Sequence, residues 1–100
     1  MSPSITKQVE GETCTFFLEG MVNIQTAPEL EKEVNELPEV KALIFDMEKV
    51  SMVASAGFRV LIQAYKKMKA AGGSMKVIHV NDEAMKVCRF TGLADVMDIS

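Results

Sequence analysis

The sequence predicts a single α/β domain: a four- to five-stranded, mostly parallel sheet with an N-terminal β-hairpin and three helices. Three observations predict it. The chain has 100 residues, which is room for one hydrophobic core and no second one, so residues 1–100 are expected to fold as one unit. Short β-prone runs alternate with amphipathic helical stretches, and strands separated by single helices pair in parallel through right-handed crossovers. Hydrophobic residues make up 48% and charged residues 25%, a globular balance too apolar for disorder.

Residues 5–9 and 14–18 are β-prone and are separated by Glu10-Gly11-Glu12. A short glycine-containing turn between two such runs reads as a hairpin, with the first strand at an edge. Thr26 and Glu29 have the spacing of a capping box, and Pro28 suits a first helical turn, where its missing N–H costs nothing. Leu30, Val34 and Leu37 share one face of that helix, and Pro38 ends it. Residues 42–46 form a short apolar run of the kind buried on both faces of a parallel sheet. In the second helix Phe58, Leu61, Ile62, Tyr65 and Met68 fall at helical spacing, with Arg59, Gln63, Lys66, Lys67 and Ala70 opposite. Lys66, Lys67 and Lys69 read as a solvated face near the helix C-terminus, where cations suit the dipole. Gly72-Gly73 supplies a left-handed cap. A strand over 76–80 follows, then Asn81 or Asp82 caps a third helix to about residue 90, which Gly92 closes. Residues 93–99 are expected to hold a last short strand or turn.

The net charge of -3 argues against nucleic acid and against an anionic membrane surface. No apolar run is long enough to span a bilayer. Met1-Ser2-Pro3-Ser4 shows no basic stretch leading into an apolar one, so no secretory leader is expected and the cytoplasm is the default compartment. Cys14 and Cys88 have no metal-like spacing and are expected to be small buried hydrophobes. His79, the one histidine, is expected in mid-strand and builds no metal site without clustered partners. The acid pairs Asp46/Glu48 and Asp82/Glu83 read as caps and solvated charges. Neither a metal nor a cofactor is expected.

Chemistry is sparse. Ser55 precedes Gly57 at a strand-to-helix turn, but Val53 stands where a nucleophile elbow needs its first glycine, and no base is placed beside it. A small serine hydrolase is therefore the least favoured reading. Gly72-Gly73 lacks the lysine and spacing of a phosphate loop. What remains is the rim beyond the carboxyl ends of the strands, where such sheets bind their ligands. Loops 19–26, 48–56 and 81–83 meet there. Met21 and Met52 offer adaptable contact surface; Phe58 is expected in the core, and Arg59 opens the polar face of the second helix.

The segment Ala42-Leu43-Ile44-Phe45-Asp46-Met47-Glu48-Lys49-Val50-Ser51-Met52-Val53-Ala54-Ser55-Ala56-Gly57-Phe58-Arg59-Val60-Leu61 resembles the signature of STAS domains, the family of bacterial anti-sigma-factor antagonists. Gly20 with Thr26-Ala27-Pro28-Glu29-Leu30, and later Thr91-Gly92-Leu93, resemble two further family passages in the right order. The family's usual C-terminal helix is not expected, since the chain stops soon after Leu93. The resemblance implies a non-catalytic module that binds an anti-sigma factor, a serine kinase-like ATPase, and so releases a sigma factor. A small STAS subunit of a larger assembly, such as a lipid-transport ATPase complex or a stress-signalling scaffold, is the alternative.

In phospho-regulated members the second serine of Asp-Ser-Ser-Gly is modified. Here Ala54 stands at the aspartate, Ser55 at the first serine, Ala56 at the modified serine and Gly57 at the glycine. Alanine accepts no phosphate. Ser55 therefore reads either as the cap of the second helix or as a displaced phosphosite, with Ser51 a weaker candidate. The resemblance implies partner contacts through Met21, Asn23, Ser51 and Met52, and through the turn itself: Ala54, Ser55, Ala56, Gly57 and Arg59.

Overall fold

A two-residue turn, with Gly11 at φ +58, opens the sheet by folding β1 (Ser4–Glu10) against β2 (Thr13–Val22), Glu10 opposite Thr13. The computed structural model describes residues 4–100; Met1, Ser2 and Pro3, part of the segment expected to carry no leader, lie outside them. There follow α1 (Ala27–Asn35), β3 (Ala42–Val53), α2 (Ser55–Ala70), β4 (Ser74–Ile78), α3 (Asp82–Thr91), a single helical turn α4 (Leu93–Val96), and β5 (Asp98–Ile99). The sheet runs β1-β2-β3-β4-β5, antiparallel at the first pair and parallel at the rest. The predicted α/β architecture is thus observed, with α4 as an addition.

Strands stacked in chain order have a consequence for the layers. Every crossover steps the same way, so right-handed connections put all the helices on one face. Burial follows that asymmetry. Cys14, Phe16 and Leu18 of β2, Leu43, Phe45 and Met47 of β3, and Met75 and Val77 of β4 are buried. The alternate residues Thr15 and Ile44 are only half-buried, Lys76 is exposed, and Phe17 is 39% exposed. Residues 42–46, expected to be buried on both faces, are therefore covered on one. The Phe16 and Phe45 rings, 5.5 Å apart, centre the core beneath Leu30, Val34, Val60, Leu61, Ala64 and Met68.

Several local expectations are corrected. The side chain of Thr26 caps no helix. Asn23 takes the turn instead, its Oδ1 accepting the N–H groups of Gln25 and Thr26 at 2.9 and 3.2 Å. The Thr26 hydroxyl turns back to donate to the Met21 carbonyl at 2.8 Å. In α2 the buried stripe is rotated towards Gly57, Val60 and Ala64, leaving Ile62 and Tyr65 at its margin. Lys67 does not simply face solvent: its Nζ donates to the Val34 and Asn35 carbonyls at 2.9 and 3.2 Å, closing the C-terminal end of α1. The fourth strand covers Ser74–Ile78 and not 76–80, because His79 turns to φ +58 and leaves the ladder.

Other expectations hold. Asn81 caps α3, its Oδ1 accepting the Ala84 N–H at 2.8 Å, and Gly92 closes the helix at φ +84. Cys14 and Cys88 are free and buried, and burial pushes both thiols up from their ordinary range. Among the described residues no helix is long and apolar enough to cross a membrane.

Candidate functional site

The rim is built by the far end of β3. Its register against β2 slips twice: Phe17 pairs Asp46 but Glu19 pairs Lys49, and Gly20 pairs Val50 but Met21 pairs Met52. Each slip inserts one residue into β3, a bulge that bends the strand and re-aims its side chains. β3 thereby runs on past its last partner in β4, the pair Asp46 and Ile78, and ends at Val53 opposite Val22. Most of the loops expected at 19–26 and 48–56 is consequently strand.

Only Ala54 separates β3 from α2. It is extended (φ -92, ψ 175), its N–H donates to the Val22 carbonyl at 2.8 Å, and its own carbonyl accepts the Gly57 and Phe58 N–H groups. Among the described residues no side chain caps α2. Ser55, expected as that cap, is instead the exposed first residue of the helix. Gly57 is buried, and the reason is contact: a Cβ there would lie 2.7 Å from Val22 Cγ1 and 2.9 Å from Val53 Cγ1. The glycine lets α2 begin directly against the ends of two strands.

Around this turn Met21, Ser51, Met52, Ser55 and Arg59 are exposed, while Asn23, Ala54 and Ala56 are half-buried. Met21 and Met52 are cross-strand neighbours. Asn81 steadies the rim from the other side, donating from Nδ2 to the Val50 and Ser51 carbonyls at 3.3 and 3.4 Å. Three features escaped the sequence. Ile24 is 79% exposed at the tip beyond β2. A groove of about 370 Å³ runs from Ser55 and Arg59 past Phe58 and Ile62 to Val87, Thr91 and Leu93. Phe90, one turn beyond Val87 on α3, is 92% exposed. The i, i+3 spacing of Val87 and Phe90, off the face that Ala84 and Cys88 bury, was the available signal.

A second cluster lies where β3 and β4 part. His79 is on the rim and not mid-strand, 55% exposed, with Nδ1 2.9 Å from Oδ1 of Asp46, whose side chain is 12% exposed. The same oxygen accepts the Glu48 N–H at 3.0 Å. Burial pushes the Asp46 carboxyl up, but the hydrogen bonds from His79 and the Glu48 N–H outweigh it and hold the group below its ordinary range. The bond to Asp46 raises His79 above its own, with the negative charges of Asp46 and Glu48 adding to it. His79 thus has the clustered partners that sequence spacing did not reveal. Among the described residues no hydrogen bond joins it to Ser55.

The rim thus combines a glycine-set turn with exposed Met21, Ile24 and Met52 at the end of a sheet covered on one face. The chain belongs to the STAS domain family, which it matches over residues 4–100. It is 32% identical over 82 residues to an anti-sigma-B factor antagonist of Bacillus subtilis (strain 168), covering 81% of this chain and 75% of that protein. Its fold superposes on an anti-sigma factor antagonist from Mycobacterium paratuberculosis with a TM-score of 0.87 at 21% identity, covering 98% of this chain and 85% of the other. The Bacillus cell fate determinant SpoIIAA in its phosphorylated form superposes with a TM-score of 0.79 at 18% identity, covering 97% and 91%.

Proposed function

We propose that this chain is a non-catalytic anti-sigma-factor antagonist. It docks on an anti-sigma factor, a kinase-like ATPase, through the turn at residues 54–57, and so releases a sigma factor for transcription in the cytoplasm. One observation carries the reading: an exposed, largely apolar rim and groove meet at Ser55 in a chain 32% identical to an anti-sigma-B factor antagonist. Met21, Asn23, Ser51, Met52 and Arg59 contribute contacts, Ala54 and Ala56 line the turn, and Gly57 sets its position.

The switch is altered. Ala56 stands where the family resemblance puts the phosphorylated serine, so the usual modification has no acceptor. Ser55 is the replacement: it is exposed in the first turn of α2, where free N–H groups and the helix dipole favour a phosphate. Nearly two negative charges placed there would oppose docking of a surface packed for a hydroxyl. The same Ala56 favours a second reading, a subunit of a larger STAS assembly that needs no phosphorylatable residue.

The test is to incubate the protein with anti-sigma kinases and ATP, then measure intact mass and binding. An added phosphate that disappears in Ser55→Ala establishes the displaced switch. Binding with unchanged mass marks a permanently active antagonist. Ala56→Ser is expected to gain a phosphate and to lose affinity by at least about tenfold on ATP addition. Failure to bind any ATPase of this type overturns the proposal.

A further inference from the structure

The cluster at the end of β4 has no part in the docking turn. Asp46 and Glu48 are two apart on β3, at the first of its bulges. His79 follows the last residue of β4 in a left-handed conformation, which is uncommon for a residue with a Cβ. Two local departures from the ladder thus bring an imidazole and two carboxylates together, with the donor atoms all within 4.8 Å of one another. Asp46 and Glu48 also line a cavity of about 360 Å³, with Phe17, Glu19 and Lys49 in its wall.

We propose that Asp46, Glu48 and His79 form a binding site for a divalent transition-metal ion, with zinc as its representative. Donors about 2.0–2.1 Å from a common ion and about 90–110° apart lie about 2.9–3.4 Å from each other. The 2.9 Å between His79 Nδ1 and Asp46 Oδ1 is already of that size. Glu48 is exposed, and its carboxylate, within 4.8 Å of the other two donors, is the third ligand. The Glu48 N–H held by Asp46 at 3.0 Å orients the buried carboxylate as outer-shell partners do. One imidazole among the donors selects zinc-like ions over magnesium and calcium, which prefer all-oxygen sites. Two carboxylates balance the charge of the ion. Three protein donors leave a coordination position for water or for a donor atom from a molecule in the cavity.

The test is calorimetric titration of the whole chain with zinc chloride, with the His79 imidazole followed by NMR. One saturable site is expected, with the His79 ring signals shifting in step. His79→Asn removes the imidazole while tolerating a positive φ, and Asp46→Asn removes the buried carboxylate. Each is expected to weaken zinc binding at least about tenfold, the order seen for loss of a metal ligand or its support. Glu48→Gln, on an exposed side chain, gives a smaller loss and guards against a folding defect as the cause. Cobalt in place of zinc is expected to show d–d absorption without thiolate charge-transfer bands, which distinguishes this site from Cys14 and Cys88. No saturable binding, binding that survives His79→Asn, or thiolate bands with cobalt would each overturn the proposal.

Discussion

At Gly57 the motif was legible in the sequence while its cause was not. The glycine is required because Val22 and Val53, from two strands, close over its Cα, and no spacing rule reveals a contact between distant segments. Gly57→Ala is expected to destabilise the fold by about 1–3 kcal/mol, since overpacking a tight contact forces backbone shifts. Urea denaturation measures this, and a change below a few tenths of a kcal/mol would refute the steric account. The same limit explains Thr26. Its capping-box spacing to Glu29 was correct as a pattern, but Asn23 folds the chain three residues earlier, and the Thr26 hydroxyl is drawn back to the Met21 carbonyl. His79 was read as mid-strand because Val77, Ile78 and Val80 around it are β-prone, whereas its left-handed backbone ends β4 at Ile78 and leaves the ring beside Asp46.

Among the elements, the helices were more legible than the strand that carries the site. The periodicity of α2 gave its existence, yet its buried stripe is rotated because Gly57, Val60 and Ala64 let it sit close to the sheet. β3 was read at less than half its length: Asp46-Met47-Glu48-Lys49 breaks the period-two alternation, and that break is the first bulge itself. Lys67 joins two elements that sequence could only treat separately. Its ammonium takes the Val34 and Asn35 carbonyls at the C-terminal end of α1, the first of which also accepts the Leu37 N–H. Lys67→Met keeps the aliphatic stem and removes the charge, and is expected to cost about 1 kcal/mol. Amide exchange in the last turn of α1 should accelerate in that variant, while exchange in β2 follows only the global change. Equal acceleration everywhere would refute a local cap.

For the molecule as a whole, the strand order decides what is covered and what is free. Alternating strand and helix signals gave the parallel sheet, but not that every helix falls on one side, because chain order within the sheet is a tertiary fact. The two cysteines probe the resulting core at different depths. Cys14 lies in β2 between two strands, whereas Cys88 is held by α3, and a helix at the surface of the sheet is expected to open locally at lower cost than a central strand. Both thiols are expected to alkylate slowly, since burial keeps them protonated. Cys88 should label faster than Cys14 under native conditions, with the two rates converging as urea approaches the unfolding midpoint. Cys14 reacting first would contradict this order of opening.

A sheet stacked in chain order also has two margins, and they are closed by different means. At one, β1 turns outward Lys7, Gln8 and Glu10, all exposed, with Lys7 3.8 Å from Glu33. At the other, β5 extends the ladder by only two residues, Asp98 and Ile99. A stray strand arriving from another molecule meets fixed charge at the first margin and almost no backbone to pair with at the second. Both margins thus carry features that disfavour strand addition from another molecule.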